Sequence, residues 1–298
     1  GDMEIAERIG RLREEMRKRG VTVYVVPSSD CHESEYVCAH YRAREYMSGF
    51  TGSAGTLAVT QEEAGLFTDG RYFLQAEQQL AGTGIRLFRM GEPGVPKLKD
   101  YVGEKLTEGG RLGFDGRVMG ASRAEGLIQA AREKGAEVRM TEDLVGEIWE
   151  DRPGIPDTEL FRLGLHCTGE ETKQKLVRVR AEMEKAGADI HVLASLCDIA
   201  WILNLRGRDI PGVPVVLSFL LLTKERCVWY VRGRVVTEKI RKELQAEGVQ
   251  IREYEQIYGD LEQIPEGRTV LLDKKNVNSR LLFCLKASVR VLDRSNPS

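Results

Sequence analysis

The chain has 298 residues, with 44 Lys and Arg against 46 Asp and Glu, a formal charge of −2. At about 150 residues per domain this length predicts two domains, each with its own core, and excludes a mini-protein; the near-neutral balance argues against a dedicated nucleic-acid binder. Hydrophobic residues make up 42% and charged ones 30%, as in globular proteins, and the longest apolar run, Val213 to Leu222, is interrupted by Pro214 and Ser218, too short for the roughly 20 residues of a membrane-spanning helix.

Gly1-Asp2 reads as a cleavage scar before Met3, and the charged segment that follows has no apolar signal region. Ile5, Ile9, Leu12 and Met16, spaced four, three and four apart, predict a helix with one buried stripe, ended by Gly20. The β-branched run Val21 to Val26 predicts a buried strand stopping at Pro27. Leu57-Ala58-Val59 and Gly65 to Thr68 predict a hairpin across Thr60 to Ala64, followed by a helix from about Tyr72 to Leu80. Next come a strand at Ile85 to Phe88, a helix at Lys97 to Leu106, a strand at Arg111 to Phe114, and a capping box at Ser122-Arg123-Ala124-Glu125 that opens another helix. Strands alternating with helices make the class α/β.

The segment Asp151 to Asp157 carries two prolines and a glycine and predicts the linker. A second capping box, Thr168-Gly169-Glu170-Glu171, then opens a long amphipathic helix. Here the plan starts over. Arg11 to Gly20 aligns without gaps on Arg178 to Gly187, and Arg111-Leu-Gly-Phe-Asp115 parallels Thr269-Val-Leu-Leu-Asp273. Two matches in order, at a domain-sized separation, predict a duplication.

Candidate chemistry is sparse. Ser48-Gly49-Phe50-Thr51-Gly52-Ser53-Ala54-Gly55-Thr56 concentrates glycines and hydroxyls but lacks the Walker lysine and precedes a strand, so a tight turn fits better than a phosphate loop. Cys31, His32, Cys38 and His40 offer four soft ligands, at a spacing poorly suited to one zinc ion. The six cysteines include no CxxC pair and predict free thiols in a reducing cytoplasm. In Asp69-Gly70-Arg71, Asp69 caps the following helix; Arg71 either grips a carboxylate or pairs internally with Asp69 or Glu45. Asp198 to Gly207 reads as an apolar helical turn with Trp201 in the core. There is no HExxH and no GxSxG, and the four histidines do not cluster.

Five ordered blocks carry a resemblance: Pro27 to Tyr36, Ser48 to Thr56, Thr68-Asp-Gly-Arg-Tyr-Phe-Leu-Gln-Ala76, Ile148-Trp149 with Asp151-Arg152-Pro153, and Ile199 to Gly207. Together they resemble the N-terminal half of long, three-domain Xaa-Pro aminopeptidases (aminopeptidase P), a family similar to creatinase and prolidase. The resemblance implies two tandem, mutually similar α/β domains with mixed sheets flanked by helices, assigned to 1–157 and 158–298. In the family they precede a C-terminal pita-bread domain holding two divalent metals, usually manganese. The chain stops at Arg294 to Ser298, about where that domain would begin, so the resemblance implies no catalytic residue and no metal in this chain.

On this reading the two domains restrict substrate access and support assembly, for a cytoplasmic homodimer whose partners are short proline-containing peptides and its own catalytic domain. No nucleic acid or membrane enters. Arg71 is the substrate-proximal candidate, with His32 and Glu35 either at the same mouth or structuring the loop. The alternatives are a stand-alone peptide- or partner-binding module without peptidase activity, and a bare scaffold.

Overall fold

In the computed structural model residues 2–294 are described; Gly1 and residues 295–298, on which the expectations about the two ends of the chain fall, lie outside them. The chain divides into two compact units, Gly1–Gly154 and Ile155–Ser298.

The first unit runs α1 (Asp2–Lys18), β1 (Val23–Val26), α2 (Ala43–Ser48), β2 (Thr56–Val59), β3 (Ala64–Thr68), α3 (Phe73–Leu80), β4 (Arg86–Arg89), α4 (Leu98–Lys105), β5 (Arg111–Gly113), α5 (Ala121–Glu133), β6 (Glu137–Arg139) and α6 (Leu144–Ile148). Its sheet has the order β4-β3-β2-β1-β5-β6. The β1–β2 and β2–β3 pairs are antiparallel; β3–β4, β1–β5 and β5–β6 are parallel. The unbroken β-branched run at β1 follows from burial on both faces. Tyr24 and Val26 face the α1 stripe of Ile5, Ile9, Leu12 and Met16, whereas Val23 and Val25 face Tyr101 and Val102 of α4 and Leu127 and Ile128 of α5. Gly20, at φ 65°, closes α1, where a left-handed residue is needed.

The second unit runs β7 (Phe161–Arg162), α7 (Leu165–Thr168), α8 (Thr172–Ala186), β8 (Ile190–Leu193), α9 (Leu196–Leu203), β9 (Leu205–Arg206), β10 (Ser218–Thr223), β11 (Cys227–Val231), α10 (Glu238–Ala246), β12 (Val249–Arg252), α11 (Gln256–Glu262), β13 (Thr269–Leu272), α12 (Ser279–Phe283) and β14 (Arg290–Asp293). Its main sheet, β12-β11-β10-β8-β13-β14, repeats the first unit's order strand for strand, with the same parallel and antiparallel pairs. The repeated helix is α1 in one unit and α8 in the other, each closed by a left-handed glycine, Gly20 or Gly187.

Two expected helix starts are corrected. α5 begins at Ala121 with Gly120 as its N-cap, so Ser122 and Glu125 lie within the helix and form no capping box. The acid at this end is non-local: the Glu33 carboxylate occupies the space that a Gly120 side chain would need, with Cδ 2.6 Å from an ideal Cβ. The Thr168 box is likewise displaced. Thr168 ends the short α7, which Gly169 closes at φ 73°, and the reciprocal box forms three residues on between Glu171 and Gln174. The other first-unit elements that the sequence predicts differ by a few residues at their ends, while α2 and β6 carry no expectation from the sequence.

Candidate functional site

The carboxyl ends of β1 and β3 and the amino end of the antiparallel β2 lie on the same edge of the first sheet. Crevices at the carboxyl ends of strands are where open α/β sheets bind ligands. After β1 the chain makes a long excursion. Asp30 is buried, and its Oδ1 accepts from the backbone N–H of His32 (2.8 Å) and Ser34 (3.2 Å), an Asx turn that folds the loop back. Glu33 follows at φ 55°, a left-handed conformation uncommon outside glycine, and its carboxylate accepts from Ser29 Oγ at 3.1 Å.

The Ser48–Thr56 stretch joins α2 to β2 as a packed turn. Gly49 ends α2 at φ 74°. A Cβ on Gly52 would lie 2.8 Å from the Tyr72 ring and collide with Phe50; one on Gly55 would lie 3.1 Å from Phe50 and 3.4 Å from Arg44 Nη1. Backbone N–H groups are already engaged, Phe50 to Ser48 Oγ and Thr51 to Gln79 Oε1. The turn is therefore built for close approach to an aromatic and an arginine, and no helix opens behind it to receive a phosphate.

Arg44 sits beneath this turn, 3% exposed. Its Nη2 donates to Ser28 Oγ (3.0 Å) and Gly52 O (2.5 Å), and its guanidinium lies 4.8 Å from the Phe50 ring centroid. Nε and Nη1 have no hydrogen-bond partner among the described residues. Burial lowers its pKa to about 10.

Asp69 caps the 3-10 turn Gly70–Tyr72 by accepting from Arg71 N–H. Arg71 folds back onto it, Nε to Oδ1 at 3.0 Å and Nη2 to Oδ2 at 2.9 Å, which holds the carboxyl below its usual range. The internal partner is thus Asp69. Tyr72 OH and Ser53 Oγ share a hydrogen bond of 2.5 Å that ties this turn to the glycine-rich one.

These segments enclose a cavity of about 230 Å³ lined by Ser28, Ser29, Glu33, Ser34, Glu35, Ser53 to Thr56, Arg71 and Arg123. It brings Arg71 and Glu35 together; His32 is buried in the loop and does not line it. Reading the sequence missed Arg44, which lies outside any motif, and took Arg123 only as an interior residue of the expected capping box. The soft-ligand cluster does not fit a zinc ion. Cys31 is buried, its thiol pushed up to about 12 by burial, and it lies 3.6 Å from Tyr41 OH. His40 Nδ1 lies 2.7 Å from Pro153 O. Among the described residues no group of three or more His, Cys, Asp or Glu stands where it could hold a metal ion, and no helix is long and apolar enough to cross a membrane.

In the second unit Trp201 packs against the core, half-buried. Lys175, itself 1% exposed, donates to Trp201 O (2.6 Å) and Asn204 Oδ1 (2.5 Å), closing α9 where Asn204 turns left-handed at φ 53°. This cluster satisfies a helix end.

Comparison with known proteins extends over both units. The Creatinase/Prolidase N-terminal domain family matches residues 8–148, and a second profile of the same description matches 151–298. Aminopeptidase P2 of Arabidopsis thaliana is 36% identical over 280 residues, covering 93% of this chain and 39% of that protein. Xaa-Pro aminopeptidase 1 of Dictyostelium discoideum is 32% identical over 307 residues, covering 100% and 48%. The crystal structure of X-prolyl aminopeptidase from Caenorhabditis elegans, a cytosolic enzyme with a di-nuclear active site, superposes with a TM-score of 0.90 at 27% identity, over 99% of this chain and 51% of that one. The chain thus spans less than half the length of these curated relatives. With both units matched and the strand order repeated, the chain belongs to the creatinase/prolidase N-terminal domain family and carries two such domains in tandem.

Proposed function

We propose that the chain is the non-catalytic N-terminal region of a Xaa-Pro aminopeptidase, which removes the N-terminal residue from peptides with proline in second place. The carrying observation is the pair of coverages: aminopeptidases match the chain from end to end, while it accounts for under half of their length. The hydrolytic residues and the two divalent metals, manganese in our reading, then belong to a further domain. The two domains, joined within the segment 151–157, narrow the approach to that domain's active site and support a cytoplasmic homodimer. Short proline-containing peptides and the catalytic domain are the partners.

Within this role Arg71 and Glu35 face the approaching peptide. Asp69 takes Nε and Nη2 of Arg71 and, among the described residues, Nη1 makes no hydrogen bond, so the guanidinium keeps one edge open to a carbonyl or carboxylate. His32 shapes the loop beneath. Two measurements test the reading. The native gene product should be far heavier than 33.5 kDa and should cleave Xaa-Pro peptides in a way that a chelator abolishes; a native product near 33.5 kDa overturns it. In the full-length protein Arg71→Ala should lower kcat/KM for tripeptides about tenfold, mostly through KM. Unchanged kcat/KM with normal folding removes Arg71 from the peptide's path.

A further inference from the structure

We infer that the second unit binds a small organic monocarboxylate with an apolar body, in a cavity between the face of its main sheet and α11, with Arg226 as the direct partner of the carboxylate. The site lies wholly within the second unit and shares no residue with the cavity that Arg71 lines. It goes beyond the peptidase reading without depending on it.

The duplication presents two versions of one position on the sheet. β1 and β8 align at the offset of the helices before them, so that Tyr24 matches His191, and the strand pairings carry the match outward: Val59 to Leu222, Phe67 to Tyr230, Phe88 to Arg252. In the first unit Phe67 and Phe88 stack with centroids 4.4 Å apart, and Tyr101 of the following helix, α4, packs edge-on against both at 5.2 and 5.0 Å. All three rings are buried. In the second unit the same position carries Tyr230, Arg252 and, from the following helix α11, Asp260. Tyr230 OH donates to Asp260 Oδ2 (2.7 Å), and Arg252 reaches the same carboxylate, with Nε 3.0 Å from Oδ2 and Nη2 donating to Oδ1 at 3.4 Å. A cavity of about 360 Å³ opens beside this triad. An ion pair in place of packed rings is seldom the more stable arrangement, and departures of this kind from the packing of a fold concentrate at functional sites.

The lining sets the ligand class. Ile190, Leu221, Val228, Ile264 and Pro265 supply an apolar floor, and the charged residues are Arg226, Arg252 and Asp260. Burial and the adjoining carboxylate raise the pKa of the Tyr230 hydroxyl, which stays protonated and adds no charge. Asp260 is taken up by Arg252, so the lining carries one net positive charge, that of Arg226. The larger groove that shares Thr223 and Pro265 with it adds three acids and three further bases and leaves this balance unchanged. Arg226 is exposed on the turn between β10 and β11, which the Thr223 hydroxyl holds by accepting from the backbone of Glu225 and Arg226. Its Nη2 donates to the neutral side chain of Gln250 at 2.8 Å, and among the described residues it forms no ion pair. An apolar floor with a few convergent polar groups is the usual form of a small-molecule site. The volume of about 360 Å³ corresponds to about twelve waters at roughly 30 Å³ each, room for a single ring bearing a carboxylate. Burial of the ring supplies affinity and Arg226 selects the charge.

The test is titration of the full chain, observed through the backbone amide resonances of Val228, Tyr230, Arg252 and Gln263. Phenylacetate should shift these resonances and saturate, whereas phenethylamine, with the same ring and the opposite charge, should leave them unmoved. Arg226→Ala should weaken phenylacetate by about tenfold, with Arg226→Lys restoring part of the loss. Arg226 is exposed, so both variants should fold normally. The amides of Phe67 and Phe88, at the matching position of the first unit, should not respond. No saturable response to phenylacetate, an equal response to phenethylamine, an unchanged affinity in Arg226→Ala, or an equal response at Phe67 and Phe88 overturns the proposal. Acetate binding as tightly as phenylacetate overturns the apolar half of the ligand class, and phosphate binding more tightly than phenylacetate overturns the carboxylate.

Discussion

At Gly52 the first unit has no room for a β-carbon. The methyl of Gly52→Ala would stand 2.8 Å from Tyr72 and closer still to Phe50, two rings already in edge-to-face contact with centroids 5.9 Å apart. We expect this substitution to cost about 1–3 kcal/mol, read as a lower urea midpoint with an unchanged slope. Gly70→Ala is the control, since its nearest neighbour is 3.8 Å away, and it should cost far less; equal losses would show that the loop does not pack as described. The clustered glycines were visible in the sequence as a turn, but not which glycine answers to sterics and which to backbone angle. Arg44 was invisible for a different reason. Burial of an arginine depends on what closes over it, and Gly52, Phe50 and Ser28 do so only in three dimensions.

Helix starts show what local pattern can and cannot specify. The α1 stripe and the buried β1 run were legible because burial imposes a period on contiguous residues. Caps were not, because the capping side chain can come from elsewhere or from a neighbouring register. At α8 the reciprocal pair is Glu171 with Gln174, so Glu171→Ala should cost about 1 kcal/mol. Thr168→Ala, at the end of α7, should cost less, since among the described residues its hydroxyl reaches only Gly164 O and Glu170 O. Thermal or urea unfolding of the two variants decides, and a larger loss for Thr168→Ala would reverse the assignment. The β1 loop belongs to the same scale. Its Asx turn at Asp30 uses backbone donors that the sequence offers openly, yet its enclosure of a cavity with Arg123 required the order of β1, β5 and α5.

Over the whole molecule, the short repeats in the sequence announced a duplication that the strand orders display in full, and burial has placed ionisable thiols inside both copies. Cys31 lies in the first unit and Cys227 in the second, each raised to about 12 by burial, with Cys284 raised similarly in the second. Well below the free thiol's pKa of about 8.5 each thiol is protonated in both folded and unfolded chains and contributes nothing to pH dependence. Above it the unfolded thiol ionises while the buried one does not. The native state then binds more protons, and stability falls as pH rises, by about 1.4 kcal/mol per pH unit for each thiol. Between about pH 9 and 10 the slope of one thiol in the first unit and of up to two in the second adds to that of the tyrosines which burial also holds protonated, Tyr24, Tyr41 and Tyr101 in the first unit and Tyr230 in the second. Cys31→Ala and Cys227→Val should each flatten the slope of their own unit by about 1.4 kcal/mol per pH unit and leave that of the other unchanged. Urea unfolding at pH 8, 9 and 10 makes the comparison, and parallel slopes in wild type and variants would mean that these thiols ionise as readily folded as unfolded.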